Sequence, residues 1–329
     1  MLYLCRKAAH NCGVARGDVP LSQPSGSSAG GVLTAAYGIA VYVIFLVAFV
    51  YLIGFVADAD LTVGSVHFVD KSIDRGGMGD GALTVAALVI DAALLALFGL
   101  QHSVMARTGF KRWWTRIVPR STERSTYVLA SSICLLVLFA AWRPITANVW
   151  RVTAQPWRAL LIAAALAGWA IVLLSTFLID HFDLFGLRQV FARLRGRRPA
   201  EHDFKTPFLY RVVRHPIYLG FMIAFWATPA MTLGHLLFAA VMTGYILLAV
   251  RFEERDLIRM FGEQYRDYRR RVSMLIPGLG GRSLRSCPPV SAPTAAPGSA
   301  GDPAQLVRRR RSASAVPARC SAPRRRRPR

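Results

Sequence analysis

Cysteine is scarce and scattered. Cys5, Cys12, Cys134, Cys287 and Cys320 make no C-x-x-C pair and have no histidine at zinc-like spacing, so neither a disulfide framework nor a metal site is expected. Alternation of apolar and polar residues is missing too, and charge is rare inside the hydrophobic stretches. Of 329 residues 53% are hydrophobic and 18% charged. The apolar ones gather in blocks about 20 residues long, the pattern of an all-α, polytopic membrane helical bundle. Acids are outnumbered, 18 against 41 lysines and arginines, for a formal charge of +23. Residues 282–329 supply nearly half of that excess, with twelve arginines against the single acid Asp302. The charge is a property of segments and makes no case for a nucleic-acid partner.

Five apolar blocks are readable: Leu33–Ala57, Ala82–Ala106, Thr126–Ala141, Ala159–Asp180 and Ile217–Val250. The last contains "TPAMTLGH", where Pro229 and Gly234 break helices, so it reads as a helical hairpin and brings the expected membrane helices to about six. Its first arm reaches only ~25 Å against a hydrocarbon core of ~30 Å, so it barely spans or re-enters. Orientation follows from lysine and arginine, which cytoplasmic loops retain. Residues 107–124 hold Arg107, Lys111, Arg112, Arg116, Arg120 and Arg124, and residues 188–214 hold eight more basic residues. The loop after the first block is acidic instead. The expectation is a multi-pass protein of the plasma membrane with both basic loops in the cytoplasm.

Residues 1–31 carry "LSQPSGSSAGG" and lack the apolar core of a signal peptide, so they are expected to be a disordered lead without a targeting signal. After Pro277 the chain turns to Pro, Ser, Ala and Arg, and residues 281–329 are expected to be a disordered basic tail that touches anionic lipid. Between them lie an expected transmembrane bundle over 32–200 and a cofactor-binding core over 201–280.

Polar motifs flank the final block. "RHPIYLGF" at 214–221 puts Arg214 and His215 directly before an apolar run, and "RFEERDLIRMFGEQYRDYRRRV" puts adjacent glutamates, Glu253 and Glu254, at its far end. Pro216 suits a first helical position. The free N–H groups of that turn, with Arg214 and His215, suit a carboxylate, and Gly220 permits close approach of a ligand to the backbone. A plainer reading is an interfacial helix start with a snorkelling arginine. Glu254, Leu257, Phe261, Tyr265, Tyr268 and Val272 recur at steps of three and four, one face of a single amphipathic cytoplasmic helix. Carboxylates at a lipid boundary need a partner, either Arg251 or Arg255 or a cationic ligand. If the block is a hairpin, its two ends meet, and a zwitterion with an ammonium and a sulfonium satisfies both.

The order "RHPIYLG", hairpin, "EE", "FGEQYRDYRRRV" and "SMLIPG" resembles the isoprenylcysteine carboxyl methyltransferase-like superfamily of membrane methyltransferases over about 204–278. Upstream, "FGLQHSVMARTGFKRWW", "ERSTYVLASS", "WRPI" and "IDHFDLFGLRQV" are similar to the bacterial methanethiol S-methyltransferases and related denitrification-associated membrane proteins. The resemblance implies S-adenosylmethionine as cofactor, held by Arg214, His215, Pro216, Tyr218, Gly220, Glu253, Glu254, Tyr265 and Tyr268, and a small thiol as acceptor. It implies the lipid bilayer as surroundings and no obligate protein partner. Acceptors of another kind, a phospholipid amine or a prenylcysteine carboxylate, and a non-catalytic accessory role remain as alternatives.

Attack on the methyl group requires a thiolate, so a base or a positive field is wanted. His181 in "DHFDLFG" ranks first, and Asp183 in the same motif, His102 in "LQHS" and Tyr210 or Tyr218 near the RHP element are the other candidates. The plainer reading of His181 is an interfacial histidine satisfied by Asp180 or Asp183. His102 ends the second block, where a structural hydrogen bond explains it equally well, and Asp91 lies within the block facing a bundle interior.

Overall fold

The computed structural model of the protein describes residues 28–59, 62–63, 66–76, 84–197 and 206–278, all within one compact unit. The expected tail, and the expected lead apart from residues 28–31, lie outside the described residues. In chain order the elements are α1 (Ser28–Val56), β1 (Thr62–Val63), β2 (Val66–His67), α2 (Val85–Ala106), α3 (Thr108–Trp114) and α4 (Glu123–Ala141). There follow β3 (Asn148–Arg151), α5 (Gln155–Ile179), α6 (His181–Leu184), α7 (Leu187–Leu194) and α8 (Leu209–Val212). The chain then forms α9 (Pro216–Trp226), β4 (Ala230–Thr232), α10 (Leu233–Phe261) and α11 (Glu263–Arg271).

Five of these, α1, α2, α4, α5 and α10, are long and apolar enough to cross a membrane. The protein is an all-α polytopic membrane bundle, and the apolar blocks match its helices closely. The hairpin has an unusual first arm. Eleven residues of α9 rise only ~17 Å, about half the hydrocarbon thickness. The extended residues 227–232 continue the path, adding at most ~20 Å. Non-helical backbone at that depth is tolerated only when paired inside protein. Here β4 pairs antiparallel with β3, Asn148 opposite Thr232 and Arg151 opposite Ala230, with a bulge between Asn148 and Trp150. The N–H groups of Leu233 and Gly234 continue the pairing to the carbonyls of Ala147 and Ile145.

At this end of the bundle Thr232 caps α10, accepting from the His235 N–H at 3.1 Å and donating its hydroxyl to Asp74 at 2.6 Å. Burial pushes the Asp74 carboxyl up to about 6. Asp91 is fully buried and accepts from the backbone N–H of Arg143 at 2.9 Å, just past the end of α4. Beneath lie the edge-to-face aromatics Phe55, Trp142, Phe225 and Phe238. Trp142 ties them to the loop by donating to the Ile73 carbonyl at 3.0 Å.

Close helix contact fixes α9. A Cβ on Gly220 would stand 2.6 Å from the Gly168 carbonyl oxygen, and one on Gly168 would stand 2.7 Å from the Gly220 carbonyl oxygen. The two glycines let α5 and α9 touch backbone to backbone, as small residues do in membrane helix crossings. Gly220, expected beside a cofactor, makes this helix contact. Gly220→Ala is expected to force the helices apart at a cost of about 1–3 kcal/mol, read as a lower unfolding temperature of the purified protein in detergent. An unchanged unfolding temperature would contradict this packing role.

The final amphipathic stretch is two helices rather than one. The chain breaks at Gly262, whose φ of 54° and ψ of −125° suit glycine. Helix α11 folds back so that Tyr265 and Tyr268 still pack on Leu257, which is why a helical spacing is visible across the break.

Candidate functional site

From Leu233 to Glu253 helix α10 climbs ~30 Å, so the glutamates emerge at the membrane boundary opposite Thr232. The RHP element begins at the same boundary because the segments before α9 and after α11 are bridged. Val213 pairs with Ser273 in parallel, the Arg214 N–H bonds the Ser273 carbonyl at 2.8 Å, and the His215 N–H bonds the Met274 carbonyl at 3.2 Å. The two ends of the hairpin meet.

They meet by direct pairing. Arg214 Nε donates to Glu254 Oε1 at 2.7 Å, with the two side chains 8% and 9% exposed. Arg214 also donates to the carbonyls of Arg269 and Val272, and Arg269 reaches Glu254 Oε2 at 3.2 Å. A buried carboxylate is tolerable only with such partners. Glu254 is thus matched by Arg214 and Arg269 rather than by Arg251 or Arg255. His215 lies between the glutamates, Nε2 3.4 Å from Glu254 Oε1 and Nδ1 3.9 Å from Glu253 Oε2. Among the described residues Glu253 takes one hydrogen bond, from the Tyr218 hydroxyl to Oε2 at 3.2 Å. Its carboxylate borders an open space.

That space is a cleft of about 130 Å³ between the boundary ends of α2, α4, α9 and α10. Glu253 and Tyr218 form one wall. Arg107, Lys111 and Arg124 bring positive charge to its lining, and His102, Tyr127 and Tyr245 supply polar groups from α2, α4 and α10. Lys111 lies 3.6 Å from Glu123, Arg124 lies 3.0 Å from Asp183, and the Arg107 guanidinium stacks over Phe252 at 4.3 Å. One small volume thus presents a carboxylate and fixed cations.

The expected site residues divide into three groups. Tyr218 and Glu253 line the cleft, and His215, Arg214 and Glu254 brace that wall from behind. Pro216 opens α9, while Tyr265 and Tyr268 pack α11 onto α10, with the Tyr268 hydroxyl on the Tyr210 carbonyl. His181 and Asp183 are buried but line no part of the cleft. His181 is engaged at both nitrogens, by Tyr42 at 2.7 Å and Thr176 at 2.9 Å, and lies flat on Phe177. Burial pushes its pKa down from the ordinary histidine value, with Asp180 opposing. Asp183 accepts from Arg124 at 3.0 Å and Gln189 at 2.9 Å, so it orients a cleft cation. Sequence reasoning missed Tyr127 and Tyr245. A weak signal for the latter exists in Gly99, whose missing side chain admits the Tyr245 ring. Among the described residues, no group of three His, Cys, Asp or Glu could hold a metal.

The phospholipid methyltransferase family matches residues 160–264, which contain His215, Tyr218, Glu253 and Glu254. Five apolar helices and this match define a membrane-embedded methyltransferase. The chain is 54% identical to methanethiol S-methyltransferase of Mycobacterium tuberculosis over 245 residues, 74% of this chain and 96% of the relative. It is 50% identical to methanethiol S-methyltransferase 2 of Bradyrhizobium diazoefficiens over 265 residues, 78% and 96% of the two chains. It is also 50% identical to methanethiol S-methyltransferase of Pseudomonas deceptionensis over 217 residues, 66% and 81% of the two. The chain belongs to the methanethiol S-methyltransferase family. No solved structure matches it.

Proposed function

We infer that this protein methylates methanethiol to dimethyl sulfide with S-adenosylmethionine as donor, working in the plasma membrane with its cleft open to the cytoplasm. The reading is carried by a cleft of both charges in a chain 54% identical to a methanethiol S-methyltransferase. When bound, the cofactor supplies a methyl group activated on a sulfonium. The residues present fit it. Glu253, which lines the space, accepts from an ammonium or hydroxyl, Tyr218 and His215 hold that carboxylate in place, and Arg107, Lys111 and Arg124 attract a carboxylate. Arg214 and Glu254, which pair with each other, serve as the brace, and Tyr265 and Tyr268 keep α11 closed over it. This revises the expectation that Arg214 itself meets the ligand's anion.

Methyl transfer to sulfur is an in-line displacement, so the protein's task is chiefly to hold geometry and deliver a thiolate. A small thiol dissolves in lipid, and the cleft has an apolar side toward it: Leu248 lines the cleft and is 52% exposed along α10. Acceptor and donor then enter by different routes, the one through the membrane and the other from the cytoplasm. The phospholipid methyltransferase match supports one second reading, a phospholipid amine as acceptor. Gas chromatography of the headspace over cells given methanethiol tests the choice. Dimethyl sulfide above the level of cells lacking the protein is expected. Its absence, with methylated phosphatidylethanolamine appearing in its place, would favour the second reading.

A further inference from the structure

Two histidines share one hydrogen-bonding pattern, and one of the two lines the cleft. His102 Nε2 lies 2.7 Å from the Tyr127 hydroxyl and Nδ1 3.2 Å from Ser131 Oγ. Ser131 donates its single proton to the Tyr127 backbone carbonyl at 3.0 Å. Its oxygen must therefore accept from Nδ1–H, which leaves Nε2 as an acceptor for the Tyr127 O–H. Phe98 stacks on the imidazole and fixes its plane, centroids 5.4 Å apart. His181 repeats the arrangement with Tyr42 on Nε2 and Thr176 on Nδ1, the Thr176 hydroxyl donating to the Leu173 carbonyl at 2.7 Å. That pair has no wall of the cleft, whereas both Tyr127 and His102 do.

We propose that Tyr127 and His102 form the proton relay that ionises the acceptor thiol, Tyr127 as the catalytic residue touching sulfur and His102 as the positioning residue that takes the proton behind it. This rests on the methyl-transfer reading above. The thiol S–H bond breaks as its proton passes to Tyr127 Oη, and the proton already on that oxygen passes to His102 Nε2. The electron pair left on sulfur forms the new sulfur–carbon bond. The donor's sulfonium–methyl bond breaks at the same time, and its pair returns to the donor sulfur. The imidazolium keeps its Nδ1–H on Ser131 and returns the extra proton to Tyr127 Oη, which releases its own proton through the cleft to water after the products leave.

Charges of both signs surround the relay. Arg107, Lys111 and Arg124 face the cleft from the α2–α3 junction, α3 and α4, each fixed by the contacts described above. The acids opposing them are Glu123 on α4 and Glu253 and Asp256 on α10. Glu123 is held by Lys111, and Glu253 is directed to the donor's cation. Tyr218 on α9 and Tyr245 on α10 also face the space, and Tyr245 accepts from Ser103 at 3.3 Å.

The test compares methanethiol with 2,2,2-trifluoroethanethiol, a more acidic small thiol, using full-length protein in nanodiscs across a range of pH. Each variant's ratio of rates on the two thiols cancels any loss of folded protein. Tyr127→Phe and His102→Gln are expected to lose about 100-fold on methanethiol near neutral pH. They should lose far less on the acidic thiol, and the methanethiol loss should shrink as pH rises and solution supplies thiolate. Tyr42→Phe, the matching change beside His181, should keep the wild-type profile. Equal losses on both thiols, unshifted profiles in both relay variants, or a shift in Tyr42→Phe instead, would each overturn the relay alone. Wild type that methylates neither thiol would overturn the functional reading and the relay together.

Discussion

Glu254→Ala is expected to cost about 3–5 kcal/mol, because it leaves the Arg214 guanidinium buried without its carboxylate. The loss should appear as a fall of order 10 °C in unfolding temperature and as poor recovery of folded protein. The two backbone carbonyls that Arg214 also reaches soften the penalty without neutralising the charge. A second change separates the brace from catalysis. Arg214→Met combined with Glu254→Leu removes both charges, and replacing a buried pair by apolar residues is often neutral. The double variant should therefore recover much of the stability, with Arg269 and His215 as the partners still deprived. A single Glu254→Ala variant as stable as wild type would show that the pair carries no structural weight.

Glu253→Gln is expected to behave in the opposite way, although the two glutamates are neighbours in sequence. The amide keeps an acceptor for the Tyr218 hydroxyl, so unfolding temperature should stay close to that of wild type. What it loses is a charge facing the cleft. A charge-assisted hydrogen bond contributes about 1.5–3 kcal/mol, and each 1.4 kcal/mol is about tenfold in affinity. Affinity for S-adenosylhomocysteine by titration calorimetry should therefore fall about 10- to 100-fold. Wild-type affinity in this variant would remove Glu253 from the binding wall. The contrast between adjacent positions follows from helix geometry: successive side chains on α10 point about 100° apart, one into the cleft and the other into the brace.

Much of this arrangement was legible in the chain itself. The apolar blocks match the spanning helices because a lipid-facing helix leaves no alternative to long apolar runs. The meeting of "RHP" with "EE" was legible because both flank one folded-back block. The polarity of the meeting was not. Sequence places a cation and an anion at one boundary but does not say whether a ligand separates them, and in the structure Arg214 and Glu254 are in contact. Gly220 is ambiguous for a related reason, since a glycine that admits a ligand and one that admits a helix look alike in sequence, and the structure shows the helix contact. The break at Gly262 was hidden because α11 folds back and preserves the spacing of Leu257, Tyr265 and Tyr268. Choosing between His102 and His181 was beyond sequence, because each ring is defined by partners on other turns and helices: Tyr127 and Ser131 for one, Tyr42 and Thr176 for the other.

The central claim is that the cleft bounded by Glu253, Tyr218, Tyr127 and His102 is where the methyl donor sits. A cryo-electron microscopy structure of the full chain with S-adenosylhomocysteine tests it most directly. Density for the product is predicted between α2, α4, α9 and α10, with a polar group on Glu253 and its sulfur toward Tyr127. Density on another face of the bundle, with this cleft holding only water, would contradict the account.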